Sequence, residues 1–177
     1  LTLGHLLQNT LIYAFGALIF QLVFDVSAAY ALSKLRPFLG NIVLFAMLTT
    51  LMIPATVLAV PAFLTALDMP FLHVNLTNTP WAIWLPSVAN GFSIFLLKRF
   101  FDAVPDELIQ AAAIDGAGPL RTMWSVVLPI ARPVLAVISI FAVVNVWKDF
   151  LWPLLVLSGD HDTVNTGLVQ LQNGTPP

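Results

Sequence analysis

The side chains in this sequence that could do polar chemistry cluster in a few places. Lys148 and Asp149 are adjacent, flanked by Trp147 and Phe150, with Trp152 just beyond. A cation, a carboxylate and aromatic rings in one short stretch suit a sugar, whose hydroxyl edges take hydrogen bonds and whose apolar faces stack. Asp25, two residues before Ser27, is a second charge inside an otherwise apolar run. A carboxylate there is costly in lipid and should face a helix bundle or a wet cavity. A plainer reading stands beside this one: Lys148 or Asp149 snorkels to an interface, or pairs with Asp25 or with another subunit. Reaction chemistry, by contrast, has no visible home. There is no cysteine for thiolate catalysis, metal binding or disulfides. His5, His73 and His161 lie far apart without metal-ligand spacing, and no Gly-rich loop could cradle a phosphate. The sequence therefore points to a chain that is not an enzyme and holds no cofactor.

The elements that must position these residues follow from composition. The chain has 177 residues, 59% hydrophobic and 9% charged, where a soluble domain carries about 25% charged residues. So little charge cannot cover a water-facing surface, and the membrane class follows. No basic face suggests nucleic acid. Leu1–Phe24, Pro37–Leu67 and Met69–Leu97 contain no Asp, Glu, Lys or Arg, and Pro133–Leu157 is broken only by Lys148 and Asp149. Each run exceeds the roughly 20 apolar residues that a helix needs to cross a bilayer. None shows the period-2 alternation of a barrel strand. The expected spans are Thr10–Leu32, Asn41–Leu67, Trp81–Leu97 and Pro133–Leu157, in an all-α, polytopic membrane bundle treated as one domain over 1–177. Pro54, Pro61 and Pro86 fall inside spans, where they predict kinks. The outer connection "DMPFLHVNLTNTP" mixes apolar residues with turn formers, which predicts that it folds back onto the bundle. Its "NLT", and "NGT" near the end, match the glycosylation acceptor pattern, a weak three-residue signal.

Basic residues set the orientation. Lys34 and Arg36 lie between the first two spans, and Lys98, Arg99, Arg121 and Arg132 between the last two. These are six of the seven Lys and Arg residues, so the positive-inside rule places both connections in the cytoplasm and both ends outside. The first apolar run lacks a basic leader and a cleavage pattern, so it does not read as a signal peptide. A chain opening on Leu1 is expected to be a piece of a longer one.

The connection from Lys98 to Arg132 is long for a simple link. Pro105, Asp106 and Glu107 carry helix-start chemistry. Ala111, Ala112 and Ala113 are strong helix formers that let another surface approach closely. Asp115-Gly116 predicts a turn, and Pro119 a second short helix, "PLRTMWSVV", ending before Leu128-Pro129. One apolar side is expected through Leu108, Ile114, Leu120, Trp124 and Val127. Such a hairpin could anchor the loop at the membrane interface, or be a rigid knob that docks on a cytoplasmic partner.

The residues from 110 to 129, "QAAAIDGAGPLRTMWSVVLP", resemble the EAA loop of ABC importer permeases. That pattern is Glu-Ala-Ala, three residues, Gly, nine residues, Ile, one residue, Leu-Pro. Gln110, Ala111, Ala112, Gly116, Val126, Leu128 and Pro129 stand at its positions, with Gln110 in place of the glutamate. The likeness extends through "NTLIYAF", "AAYALSKLR", "MIPATVLAVPAFL", "FLLKRFFDAVPDELIQAAAIDGAG", "LPIARPVLAV" and "VWKDFLWPLLVLSGD". These are similar to the sugar-importer subgroup, the maltose-type and glycerol-phosphate-type permeases. Lys148 replaces the asparagine of the family's "WNDF".

The resemblance implies about six spans in a full subunit, so that four here would lack the first and last. It implies a multi-pass permease subunit in a bacterial inner membrane, one of two permeases lining the path for a sugar or related solute. Two different permeases usually pair in this subgroup, with cytoplasmic ATPase subunits and an extracytoplasmic solute-binding protein. Glu107, Gln110, Ala111, Ala112, Asp115, Gly116, Leu128 and Pro129 would form the ATPase-coupling loop, and Asp25, Trp147, Lys148 and Asp149 would line the path. ATP would be hydrolysed in the partner. A secondary transporter or channel subunit would also explain kinked spans and buried charge, but needs no docking knob and leaves an inverted repeat unseen.

Overall fold

The computed structural model describes residues 3–70 and 72–172, which form helices joined by turns and loops, with no strand among them. The "NGT" match lies outside the described residues. Helix α1 (Leu3–Tyr30) runs into a π turn, Ala31–Leu35, and the two together are long and apolar enough to cross a membrane. Ala14, Ala17 and Ala29 on α1 are buried, whereas Phe15, Ile19, Val23 and Phe24 are more than half exposed. Leu6, Tyr13, Val26 and Tyr30 are buried beside these alanines, so one side of the helix packs on protein while a row of large apolar residues stays uncovered.

The second apolar run is two helices, α2 (Gly40–Thr50) and α3 (Ala55–Leu67), broken at Leu51–Pro54. Pro54 lacks an N–H and biases Ile53 away from helical geometry, so it ends the segment rather than bending it. Pro61 is tolerated inside α3. The third run divides into α4 (Trp81–Ser87), which contains Pro86, and α5 (Gly91–Asp102). Next come α6 (Asp106–Ile114), α7 (Pro119–Thr122), a second π turn at Met123–Val127 and α8 (Leu128–Ile130). Helix α9 (Arg132–Lys148) turns away from the α7–α8 segment by 84°. The fourth run continues with α10 (Leu151–Val156), and α11 (Val164–Gln172) follows.

The helices divide between two compact units. The first draws on Leu1–Gln21, Ile53–Val88 and Phe141–Pro177. Its core joins Tyr13, Ala66, Ala82, Ile83, Val156 and Leu157, with Trp84 and Trp152 packed against them. The indole N–H of Trp84 donates to the Tyr13 carbonyl (3.2 Å) and that of Trp152 to the Ala82 carbonyl (2.8 Å). The outer connection does fold back: the Leu76 and Asn78 amides donate to the Ala66 and Val156 carbonyls, both at 2.8 Å. In "NLT" the Asn75 side-chain oxygen takes the Thr77 N–H (2.8 Å) and hydroxyl (2.7 Å), closing a local turn.

The second unit comprises Leu22–Met52 and Ala89–Ile140. Its core is a stripe on α5, Ile94, Leu97 and Phe101, set against Met123, Val127, Ala131, Val134 and Ile138 and against Val26, Ala29 and Tyr30 of α1. The fourfold spacing from Met123 to Ala131 keeps one face inward through the 84° bend. A fully buried apolar side chain of this kind is worth about 1.5–3 kcal/mol where water is the alternative. Helices α2 and α5 approach closely at Gly91, where a Cβ would stand 2.9 Å from the Met47 carbonyl oxygen.

Candidate functional site

The loop at 98–132 lies wholly within the second unit, and its sequence dictates its shape. Pro105 caps α6 rather than opening it, with ψ near 133°, so Asp106 and Glu107 occupy the first turn, where the helix dipole favours negative charge. The helix ends where Gly116 takes φ +77°. The Gly116 amide donates to the Ala113 carbonyl (3.0 Å) and the Ala117 amide to the Ala112 carbonyl (2.9 Å). This paired closure needs a left-handed residue just past the helix, a position glycine fills without a Cβ clash. Ala112 is buried, while Ala111, Ala113, Gln110, Glu107 and Asp115 are exposed. The small alanine thus seats α6 on its unit, and its polar neighbours face out.

The second half of the loop departs from expectation in two ways. Its helix does not end before Leu128-Pro129 but continues to Ile130. The π turn is the physical reason: the Leu128 amide bonds five residues back to Met123, and this wider turn accommodates the ring of Pro129, which has no N–H to bond. Nor are the five apolar residues alike in exposure. Val127 is fully buried, whereas Leu108, Leu120, Trp124 and Ile114 are 42%, 72%, 67% and 87% exposed. Leu128 packs against the core and Pro129 is exposed. The loop therefore exposes polar side chains on α6 and the apolar side chains of Ile114, Leu120 and Trp124.

The loop is also fastened to the end of α1, through residues the sequence had used only for orientation. The Lys34 ammonium donates to the Val104 carbonyl and to Asp106 Oδ1, both at 2.7 Å. Arg36, left-handed at φ 48°, donates to Asp106 Oδ2 at 3.2 Å. The Lys34 side chain is 4% exposed. Beside this, Asp102 accepts from Ser33 (2.7 Å) and from Lys98 one turn back (2.8 Å). Lys34 and Arg36 hold the Asp106 carboxyl below its ordinary range. For Asp102, burial works to raise the pKa, but the Lys98 and Ser33 bonds and the nearby Lys98 and Arg99 charges outweigh it, so the net direction is down. The signal that could have revealed this was a basic pair closing one apolar segment and an acid opening the helix of the 98–132 loop.

Asp25 is completely buried in the second unit, where Oδ1 accepts the Asn90 N–H at 3.0 Å. Asn90 in turn caps α5 by accepting from the Ser93 N–H (3.0 Å). Asp25 thus supports the break between α4 and α5. Trp147, Lys148 and Asp149 sit in the first unit, at the end of α9. Trp147 and Lys148 are exposed, and the Lys148 side chain makes no hydrogen bond or ion pair among the described residues. Asp149 and Trp152 line a cleft of about 110 Å³ with Ile83, Ser87, Asn145, Val146 and Pro153. Hydroxyl, amide and carboxylate groups beside an indole ring could bind a polyhydroxylated molecule. Ser87 and Asn145 were not singled out in the sequence. No cluster of His, Asp or Glu among the described residues could hold a metal ion.

Residues 26–174 match the protein family described as "Binding-protein-dependent transport system inner membrane component". Among curated relatives, the sn-glycerol-3-phosphate transport system permease protein UgpE of Yersinia pestis bv. Antiqua (strain Antiqua) is 32% identical over 155 residues, 88% of this chain and 53% of that protein. The protein of the same name from Pectobacterium atrosepticum is 33% identical over 157 residues, again 88% and 53%. That of Rhizobium meliloti is 30% identical over 175 residues, 98% and 60%. The chain thus spans about half the length of the curated relatives it matches. Among solved structures, a chain of a bacterial ABC transporter involved in the import of the acidic polysaccharide alginate aligns with TM-score 0.84 and 26% identity, covering 95% of this chain and 57% of that one.

Proposed function

This chain belongs to the family of binding-protein-dependent transport system inner membrane components, and from that premise we propose that it is the permease subunit of an ATP-driven ABC importer. The observation that carries the reading is the 110–129 loop. It carries five of the seven fixed residues of the family's coupling pattern at the family spacing, with Gln110 for glutamate and Val126 for isoleucine, and it combines a left-handed turn at Gly116 with exposed Ile114, Leu120 and Trp124 side chains. Ile114, Leu120 and Trp124 on a stiff knob suit a groove on a separate ATPase, because anchoring aromatic and aliphatic groups carry most of the binding energy at such contacts. Closure of the ATPase would then move the knob as a rigid body. The apolar runs are the spans, with the loop in the cytoplasm. Trp147, Lys148 and Asp149, with the Asn145–Trp152 cleft, lie along the solute path. A second permease, two ATPases and an extracytoplasmic binding protein complete the assembly. The solute class is a sugar or polyol derivative; the relatives' names speak of sn-glycerol-3-phosphate and of an acidic polysaccharide.

The test is solute uptake by the full-length subunit, co-reconstituted with its genomic neighbours in proteoliposomes. Uptake should require internal ATP and the external binding protein and should vanish without the ATPase. Uptake driven by an ion gradient alone would instead identify a secondary transporter.

A further inference from the structure

We propose that Lys34, Arg36 and Asp106 form a clasp that couples the coupling loop to the end of α1, making Asp106 a positioning residue for energy transmission. The inference rests on the importer reading and adds a mechanical link outside the motif.

Three observations carry it. First, the contacts are convergent: one carboxylate receives the Lys34 ammonium at 2.7 Å and the Arg36 guanidinium at 3.2 Å. Lys34 also ties in the Val104 carbonyl at 2.7 Å, just ahead of Pro105. Second, the geometry of the basic residues is abnormal. A π turn at Ala31–Leu35 is closed by the Arg36 amide bonding to the Ala31 carbonyl (3.0 Å), and Arg36 itself is left-handed. Single π turns cluster at functional sites, and a left-handed non-glycine residue persists only where its surroundings hold it. Here the held conformation lets two positions separated by one residue reach the same carboxylate, and Arg36 Nε donates back to the Ser33 carbonyl (3.1 Å) to lock it. Third, Lys34 is almost completely buried although Asp106 is half exposed. An ammonium out of water needs its partners, so breaking the pair leaves a buried charge uncompensated.

The consequence is mechanical. Asp106 opens α6, the helix carrying Gln110–Ala112, so a displacement of that helix pulls on the π turn and on the end of α1. Apart from the clasp, α6 is held by the chain on either side of it and by the buried Ala112 that seats it on its unit. The clasp adds an attachment at the opening turn of α6 and gives the loop a pivot at the end of α1.

The experiment uses the full-length importer complex in proteoliposomes, comparing wild type, Asp106→Lys, Lys34→Glu and the double exchange. Solute moved per ATP hydrolysed is the readout, because simple loss of folded protein lowers both quantities together and leaves the ratio alone. Asp106→Lys should lower the ratio about tenfold, the size expected for losing charge-assisted hydrogen bonds. The ATPase should still co-purify. The double exchange should regain part of the lost ratio but not all of it, because Arg36 then faces a cation and the Val104 carbonyl loses its donor. An assembled Asp106→Lys complex with an unchanged ratio overturns the clasp, as does an assembled double exchange that regains nothing. Failure of the wild-type subunit to co-purify with any ATPase strikes the importer reading instead.

Discussion

Gly116 offers the sharpest test of the loop's stiffness. It sits at φ +77°, and a Cβ built there meets nothing within 4 Å. Neighbour clashes therefore drop out, and only backbone preference remains. A left-handed conformation costs an L residue about 1–2 kcal/mol. Alanine also restricts the unfolded chain, which offsets about 0.4–1 kcal/mol, so Gly116→Ala should cost about 1 kcal/mol net. That corresponds to roughly a fivefold rise in the open population of the turn. Asparagine tolerates this region and should cost little, whereas a β-branched valine should cost more than alanine. The assay is hydrogen exchange at the Gly116 and Ala117 amides, whose bonds to Ala113 and Ala112 close the turn, in purified full-length permease without its ATPase. Exchange should quicken in the order Asn, Ala, Val. Asparagine as disruptive as valine, or alanine indistinguishable from wild type, would refute the argument. In the assembled importer, Gly116→Glu should abolish transport and solute-stimulated ATP hydrolysis while membrane insertion persists.

Two further outcomes are expected. Gly91→Ala places a methyl group 2.9 Å from a backbone carbonyl that cannot swing aside. It should destabilise the protein by about 1–3 kcal/mol, read as a lower melting temperature. Gly118→Ala, with open space around it, should be nearly silent, and equal melting points for the two would contradict the close α2–α5 approach. Asp102 has a folded pKa below its ordinary value, so its stabilising contribution is complete above the unfolded value of about 3.9 and is lost as pH falls through the folded one. The stability gap between wild type and Asp102→Asn should be full at pH 7 and close below about pH 4, as followed by thermal unfolding across pH.

The helical class and the loop were legible because run length and motif spacing are local signals. The breaks were not. Pro54 and Pro61 look alike in sequence, yet one separates α2 from α3 and the other sits inside α3. The gap at Val88–Asn90 depends on Asp25, 65 positions away, accepting the Asn90 amide. Val127 parts from Trp124 because the π turn at Met123–Val127 shifts helical phase, so that one is buried and the other exposed. Lys34 and Arg36 served only as topological charges in the sequence. Their shared partner Asp106 is 70 or more positions away, and such pairings appear only once the chain is folded.

The central claim is that the 110–129 loop docks a separate ATPase. Its most direct measurement is affinity purification of the full-length permease from membranes, with Ile114, Leu120 and Trp124 each changed to aspartate in one variant. All three side chains are exposed, so folding and insertion should survive. The account predicts that wild type brings down its ATPase and that the variant, inserted to the same level, does not. Full retention of the ATPase by the variant would contradict it.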